Sequence, residues 1–124
     1  MDPFQAIKEF HEKFGLTGPT SPSLLNGEMS DFRIQFMNEE WEEYVDAAAT
    51  DDLESMLDAL VDLVYVALGT AYLHGFDFNE AFRRVHNANM EKVRAESEND
   101  SKRGTTYDVV KPDGWNPPFL GDLV

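Results

Sequence analysis

The sequence predicts an all-α fold: four helices followed by an extended C-terminal tail. Three observations predict it. Apolar residues recur at helical spacing through most of the chain, capping-box pairs open two of the periodic segments, and turn-forming glycine and proline residues separate them. Phe4, Ile7, Phe10 and Phe14 define a short first helix, ended by Gly15, Gly18 and two prolines. The second helix is expected to start near Ser30 or Asp31 and to stop near Thr50, with Ile34, Met37, Trp41, Tyr44, Val45 and Ala48 as its apolar stripe. Asp51 and Glu54 are spaced as a capping box for the third helix, whose stripe is Leu53, Met56, Leu57, Leu60, Val64, Ala67, Leu68 and Ala71. Gly75 ends it, and Asp77 with Glu80 opens a fourth helix carrying Phe78, Phe82, Val85 and Val93. The helical part therefore runs over about residues 3–96. Residues 97–124 begin polar and end in turn dipeptides mixed with aromatics, which predicts an extended tail or short hairpin laid over the helices.

Length and composition narrow the function. At 124 residues the chain fits one domain, residues 1–124, able to bury roughly two-thirds of its unfolded surface. There are 24 acidic residues against 10 Lys and Arg, a formal net charge of −14, so binding of nucleic acid through a basic patch is not expected. The absence of cysteine excludes thiolate metal sites and suits a reducing cytoplasm. MDPFQAIKEF lacks the basic start and apolar run of a signal peptide. The longest apolar stretch, about 15 residues around Asp62, falls short of the roughly 20 of a membrane span. A soluble protein with no membrane partner is expected.

The acids carry the chemistry. NEEWEEYVDA, residues 38–47, holds five of them. On a helix, Glu39, Glu40 and Glu43 lie broadly opposite the apolar stripe, as on any solvated face, but Phe32 and Phe36 share their side. On the third helix Glu54, Asp58 and Asp62 climb one face at intervals of four, where they repel rather than pair. Asp62 stands in a run of apolar residues. Two unit charges about 4 Å apart repel by roughly 4 kcal/mol at an effective dielectric near 20, so facing carboxylates either protonate or bind a cation. An all-oxygen set favours Mg²⁺, with Mn²⁺ as a substitute. A di-iron bundle would need Glu-x-x-His pairs, and Lys8, Ala71 and Arg83 stand three positions before His11, His74 and His86. Asn89 and Lys92 lie in line with Phe82 and Val85; they either emerge into solvent or reach a phosphate or sugar. Phe32, Phe36, His11 and Trp115 are candidate surfaces for stacking a base.

EEWEE followed by DALVDLVYV resembles the E-E-x-x-E and E-x-x-D signature of the MazG-like, all-α nucleoside triphosphate pyrophosphohydrolases. FHEKFGL, DALVDLVYVALGTA, VHNANMEKV and KPDGWNPPFL together resemble the phosphoribosyl-ATP pyrophosphohydrolase-like branch, found in bacterial and phage genomes. The resemblance covers nearly the whole chain. It implies a four-helix bundle completed by dimerisation, or a dimer of dimers. The implied activity is Mg²⁺-dependent hydrolysis of a nucleoside triphosphate between the α and β phosphates, giving a monophosphate and pyrophosphate. By motif position Glu40, Glu43 and Asp62 match metal ligands, and Glu39 matches a further ligand or the base for the attacking water. The acid expected three residues before Asp62 is Ala59 here, and Asp58 is its natural substitute as a ligand. A non-catalytic nucleotide- or metal-binding dimer and a phosphoribosyl-ATP hydrolase are the alternatives, and Ala59 favours the first of these.

Overall fold

The computed structural model describes residues 1–124. It contains α1 (Pro3–Lys13), α2 (Gly27–Ala49), α3 (Leu53–Leu73) and α4 (Phe78–Met90), then two two-residue strands, β1 (Val93–Arg94) and β2 (Val109–Val110). The all-α class holds. The chain divides into two compact units, Met1–Phe78 with Val124, and Asn79–Leu123.

In the first unit, α2 and α3 form an antiparallel hairpin and α1 packs on α3. Asp2 caps α1 by accepting the Phe4 N–H at 2.9 Å. Phe4 and Ile7 bury themselves against Leu68, with Ala71, Tyr72 and Phe78 around them. α2 starts at Gly27, one turn earlier than expected, because the Asn26 side chain accepts the Met29 N–H at 2.8 Å and so supplies the cap. The cap of α3 is Asp52 rather than Asp51. Its carboxylate accepts the Ser55 N–H at 3.1 Å and the Ser55 hydroxyl at 2.8 Å, while Asp51 takes the left-handed turn conformation at φ 54°.

The faces of α2 correct the sequence expectation most. Its buried residues are Arg33, Glu40 and Ala47, seven apart, and none of them belongs to the apolar stripe. Ile34 and Trp41 of that stripe are 54% and 51% exposed. α3 answers with Ala59, Val66 and Gly69 on its buried side, while Leu53, Leu57, Leu60, Val61 and Val64 stay exposed. The seam is therefore built from small residues, which let the backbones approach, and from the polar groups between them. At one end the buried Arg33 donates to Thr70 Oγ1 at 3.0 Å and to the Val66 carbonyl at 2.8 Å, stitching α2 to α3.

Gly69 is required by that stitch. A Cβ there would lie 2.6 Å from Arg33 Nη2 and 3.0 Å from His11 Nε2. Gly69→Ala is expected to destabilise the protein by about 1–3 kcal/mol in denaturant unfolding, because displacing a buried, charge-assisted donor costs more than the roughly 1 kcal/mol of helix propensity gained. A stabilised variant would contradict this role.

α3 is 21 residues long and apolar enough to cross a membrane by length and composition alone, a property that the core helix of a globular protein shares. Asp62 at its centre, turned toward the acids of α2, is a group that a bilayer would penalise. In the second unit the helical part ends at Met90, earlier than 96, and Val93 belongs to a strand. β1 and β2 pair antiparallel, Val93 with Val110 and Arg94 with Val109. The tail then lies along α4: Trp115 Nε1 donates to the Ala88 carbonyl at 2.7 Å, and Arg84 bonds Asp122 at 2.6 Å and Glu80 at 2.9 Å.

Candidate active site

The α2–α3 seam brings three acids together. Glu40, Glu43 and Asp62 each present a carboxylate oxygen within 4.8 Å of the others. Glu40 enters because it is seven residues from Arg33 and Ala47, on the buried side of α2, and is only 9% exposed. Asp62 stands between Ala59 and Val66 on the matching side of α3 and is half-buried. Glu43, one turn beyond Glu40, is exposed at the mouth.

The electrostatics arise from this crowding. Burial, then a hydrogen bond and charge repulsion from Glu43, then the charges of Asp62 and Glu39, push the Glu40 carboxyl up to about 7. Burial and the charges of Asp58 and Glu43 raise Asp62 as well. Glu40 Oε2 is buried without any hydrogen-bond partner. Such an orphaned acceptor is expensive unless a cation meets it. Oxygens bound to Mg²⁺ at its usual distance of about 2.1 Å stand roughly 3 to 4 Å apart, so small side-chain rotations would close this set around the ion. The donor set fits a hard divalent cation, and the absence of sulfur or nitrogen donors weighs against zinc or copper.

A family model described as phosphoribosyl-ATP pyrophosphohydrolase matches residues 7–89. The chain belongs to the phosphoribosyl-ATP pyrophosphohydrolase family. That family lies within the MazG-like nucleotide pyrophosphohydrolase superfamily. No curated protein matches the chain. The family match spans Glu39, Glu40, Glu43, Asp58 and Asp62 and takes in Asn89, but stops before Lys92 and the tail.

The other candidate residues take varied places. Asp58 is outside the three-acid group; it lines a cavity of about 420 Å³ with Glu43, Asp46, Asp52 and Ala59 and acts on Asp62 through its charge. Ala59, where the family signature has an acid, is 2% exposed and tight in the seam. Glu39 is exposed, accepts from Gln35 Nε2 at 3.1 Å, and shares a cavity of about 260 Å³ with Phe32, Gln35 and Phe36. The Phe32 and Phe36 rings are 5.6 Å apart, and the Arg33 guanidinium lies 5.4 Å from the Phe36 centroid. His11, expected as a stacking surface, is 3% exposed: its Nδ1 donates to the Leu16 carbonyl at 2.8 Å and its ring packs 4.8 Å from Tyr72. Asn89, Lys92 and Trp115 belong to the second unit. Asn89 is exposed, and Trp115 receives the Lys92 and Lys111 ammonium groups 5.2 and 5.1 Å from its ring centroid. Sequence reasoning missed Arg33. The available signal was its spacing of seven from Glu40.

This family member should show a characteristic pH dependence. The folded protein keeps the Glu40 proton to about pH 7, whereas the unfolded chain releases it near 4.5, so between those values the folded state binds more protons. Stability from this group is fully present below about 4.5 and is lost as pH rises through 7. In EDTA, Tm of the wild type relative to Glu40→Gln is expected to fall across that window. A relative rise would contradict the assignment.

Proposed function

We propose that the protein hydrolyses a nucleoside or deoxynucleoside triphosphate between the α and β phosphates, in a Mg²⁺-dependent reaction that yields a monophosphate and pyrophosphate. The observation that carries the reading is the buried, unpartnered Glu40 Oε2 within reach of Glu43 and Asp62. Glu40, Glu43 and Asp62 would hold the metal, with Asp58 beside them. When bound, the ion neutralises phosphate charge and lowers the pKa of water, with Mn²⁺ as a substitute. The chain's own groups do the rest. Glu39, exposed at the edge of the cluster, accepts the proton of the attacking water; the hydroxyl ends on one phosphorus and the bridging oxygen leaves with the other. Phe32 and Phe36 form the apolar wall of the adjoining cavity and offer a face for the base. Lys92 and Asn89 carry an ammonium and an amide, groups whose chemistry suits phosphate and sugar.

The exposed apolar residues of α2 and α3 support a second copy of the chain as their cover. Ile34, Trp41, Val45, Leu57, Leu60, Val61 and Val64 are all large apolar side chains left exposed on these two helices, and apolar surface of this kind marks interaction sites. A homodimer, or a dimer of dimers, buries them.

A panel of nucleoside and deoxynucleoside triphosphates with Mg²⁺ tests the reading. Turnover of at least one of them, abolished by EDTA, is expected. The family's description favours phosphoribosyl-ATP as a second reading, and including it in the panel separates the two. If Mg²⁺ raises Tm while every compound stays intact, the protein is a non-catalytic binding dimer, the outcome that Ala59 favours.

A further inference from the structure

The matched family region ends at residue 89, and the chain beyond it builds a second charged cavity. About 420 Å³ in volume, it is lined by Lys92, Lys102, Arg103 and Lys111 together with Asp100 and Asp108. Four of the chain's 10 Lys and Arg therefore meet at one place, outnumbering the carboxylates there, in a protein where acids exceed them by 24 to 10. Both carboxylates are already engaged. Asp108 accepts from Ser101 Oγ at 2.8 Å, Arg103 Nη1 at 2.7 Å and the Val109 N–H at 2.9 Å, and these partners hold its carboxyl below the usual range. Asp100 accepts the Glu96 and Ser97 N–H groups, each at 3.1 Å.

The frame is ordered as well as charged. Ser101 is buried under the turn, Arg94 Nε donates to the Thr106 carbonyl at 2.8 Å, and the Ala95 N–H donates to the Asp108 carbonyl at 2.9 Å. Trp115 gathers the Lys92 and Lys111 ammonium groups over its ring, while its own N–H is fixed on Ala88. Like charges gathered at one ring repel each other, and a multivalent anion between them turns that repulsion into attraction. Lysines with a neighbouring arginine suit phosphate oxygens, and the volume lies within the range of small-ligand sites.

We propose that the hairpin unit, residues 92–111 with Trp115, binds a polyphosphate of the pyrophosphate class directly, without metal. Two sources share this chemistry: the terminal phosphates of the substrate and the released pyrophosphate. The test is calorimetric titration of the full-length protein with inorganic pyrophosphate in EDTA. Pyrophosphate is expected to bind at least tenfold more tightly than orthophosphate, and at least tenfold more weakly to Lys102→Gln/Lys111→Gln, with Lys8→Gln unchanged. No pyrophosphate binding at millimolar concentration, or equal affinity in the double variant, would overturn the proposal. This arm needs neither metal nor turnover, so it stands or falls apart from the hydrolysis reading. With a turned-over triphosphate, a raised KM at constant kcat in the double variant assigns the cavity to substrate phosphates. An unchanged KM with weakened inhibition by pyrophosphate assigns it to the product.

Discussion

Asp62→Asn and Glu43→Gln are each expected to lower kcat/KM for the best triphosphate by about 10²- to 10³-fold, the cost of removing one group that stabilises transition-state charge. Both acids belong to the three-oxygen cluster, and both sit where like charges crowd. Neutralising either one relieves repulsion in the folded state, so the variants should unfold no earlier than wild type in EDTA. Loss of activity without loss of stability separates a functional carboxylate from a structural one. Asp58→Asn, outside the group, is expected to cost less than about tenfold. Equal losses for Asp58 and Asp62 would place the ligand set differently. Rates measured across a Mg²⁺ titration also show whether the loss lies in metal affinity or in turnover.

Glu40→Gln should have opposite effects on stability and on metal response. In the wild type the carboxylate is buried, repelled by three neighbours, and has one oxygen without a partner. The amide removes the charge and can donate to the Glu43 carboxylate. Metal-free Glu40→Gln is therefore expected to be more stable at pH 8 by about 1–3 kcal/mol, the cost of an unsatisfied buried polar group. The wild type should gain roughly 2.7 kcal/mol at a Mg²⁺ concentration 100 times Kd, and the variant close to nothing. Thermal melts with EDTA and with Mg²⁺ give both numbers. A destabilised variant that still responds to Mg²⁺ would show that Glu40 is a packing residue.

These residues also show where the sequence is legible. The four helices announce themselves by spacing, and the acids of α2 and α3 stand out because intervals of four stack like charges on one face. The side of α2 that packs on α3 is not legible. Hydrophobic weight points to Ile34, Trp41 and Val45, but the intrachain seam runs through Ala47, Ala59 and Gly69, whose value is smallness rather than hydrophobicity. Periodicity reports an apolar face without saying whether this chain or another copy covers it. The start of α2 is easily misplaced because Asn26 precedes Gly27, a poor helix former that the cap nonetheless holds in the first turn. His11 reads as a ring free to stack because nothing local shows that Leu16 and Tyr72 enclose it. The lysine cavity depends on a register, Val93 with Val110, that joins residues far apart in sequence, so Lys102 and Lys111 look like scattered charges.

Phosphorus NMR of a turned-over triphosphate most directly tests the claim that the α2–α3 carboxylates support metal-dependent cleavage at the α–β bridge. With wild-type protein and Mg²⁺, nucleoside monophosphate and pyrophosphate are expected in equal amounts, with no diphosphate, and EDTA should stop the reaction. Diphosphate with orthophosphate as the products, or cleavage that continues in EDTA, would contradict the account.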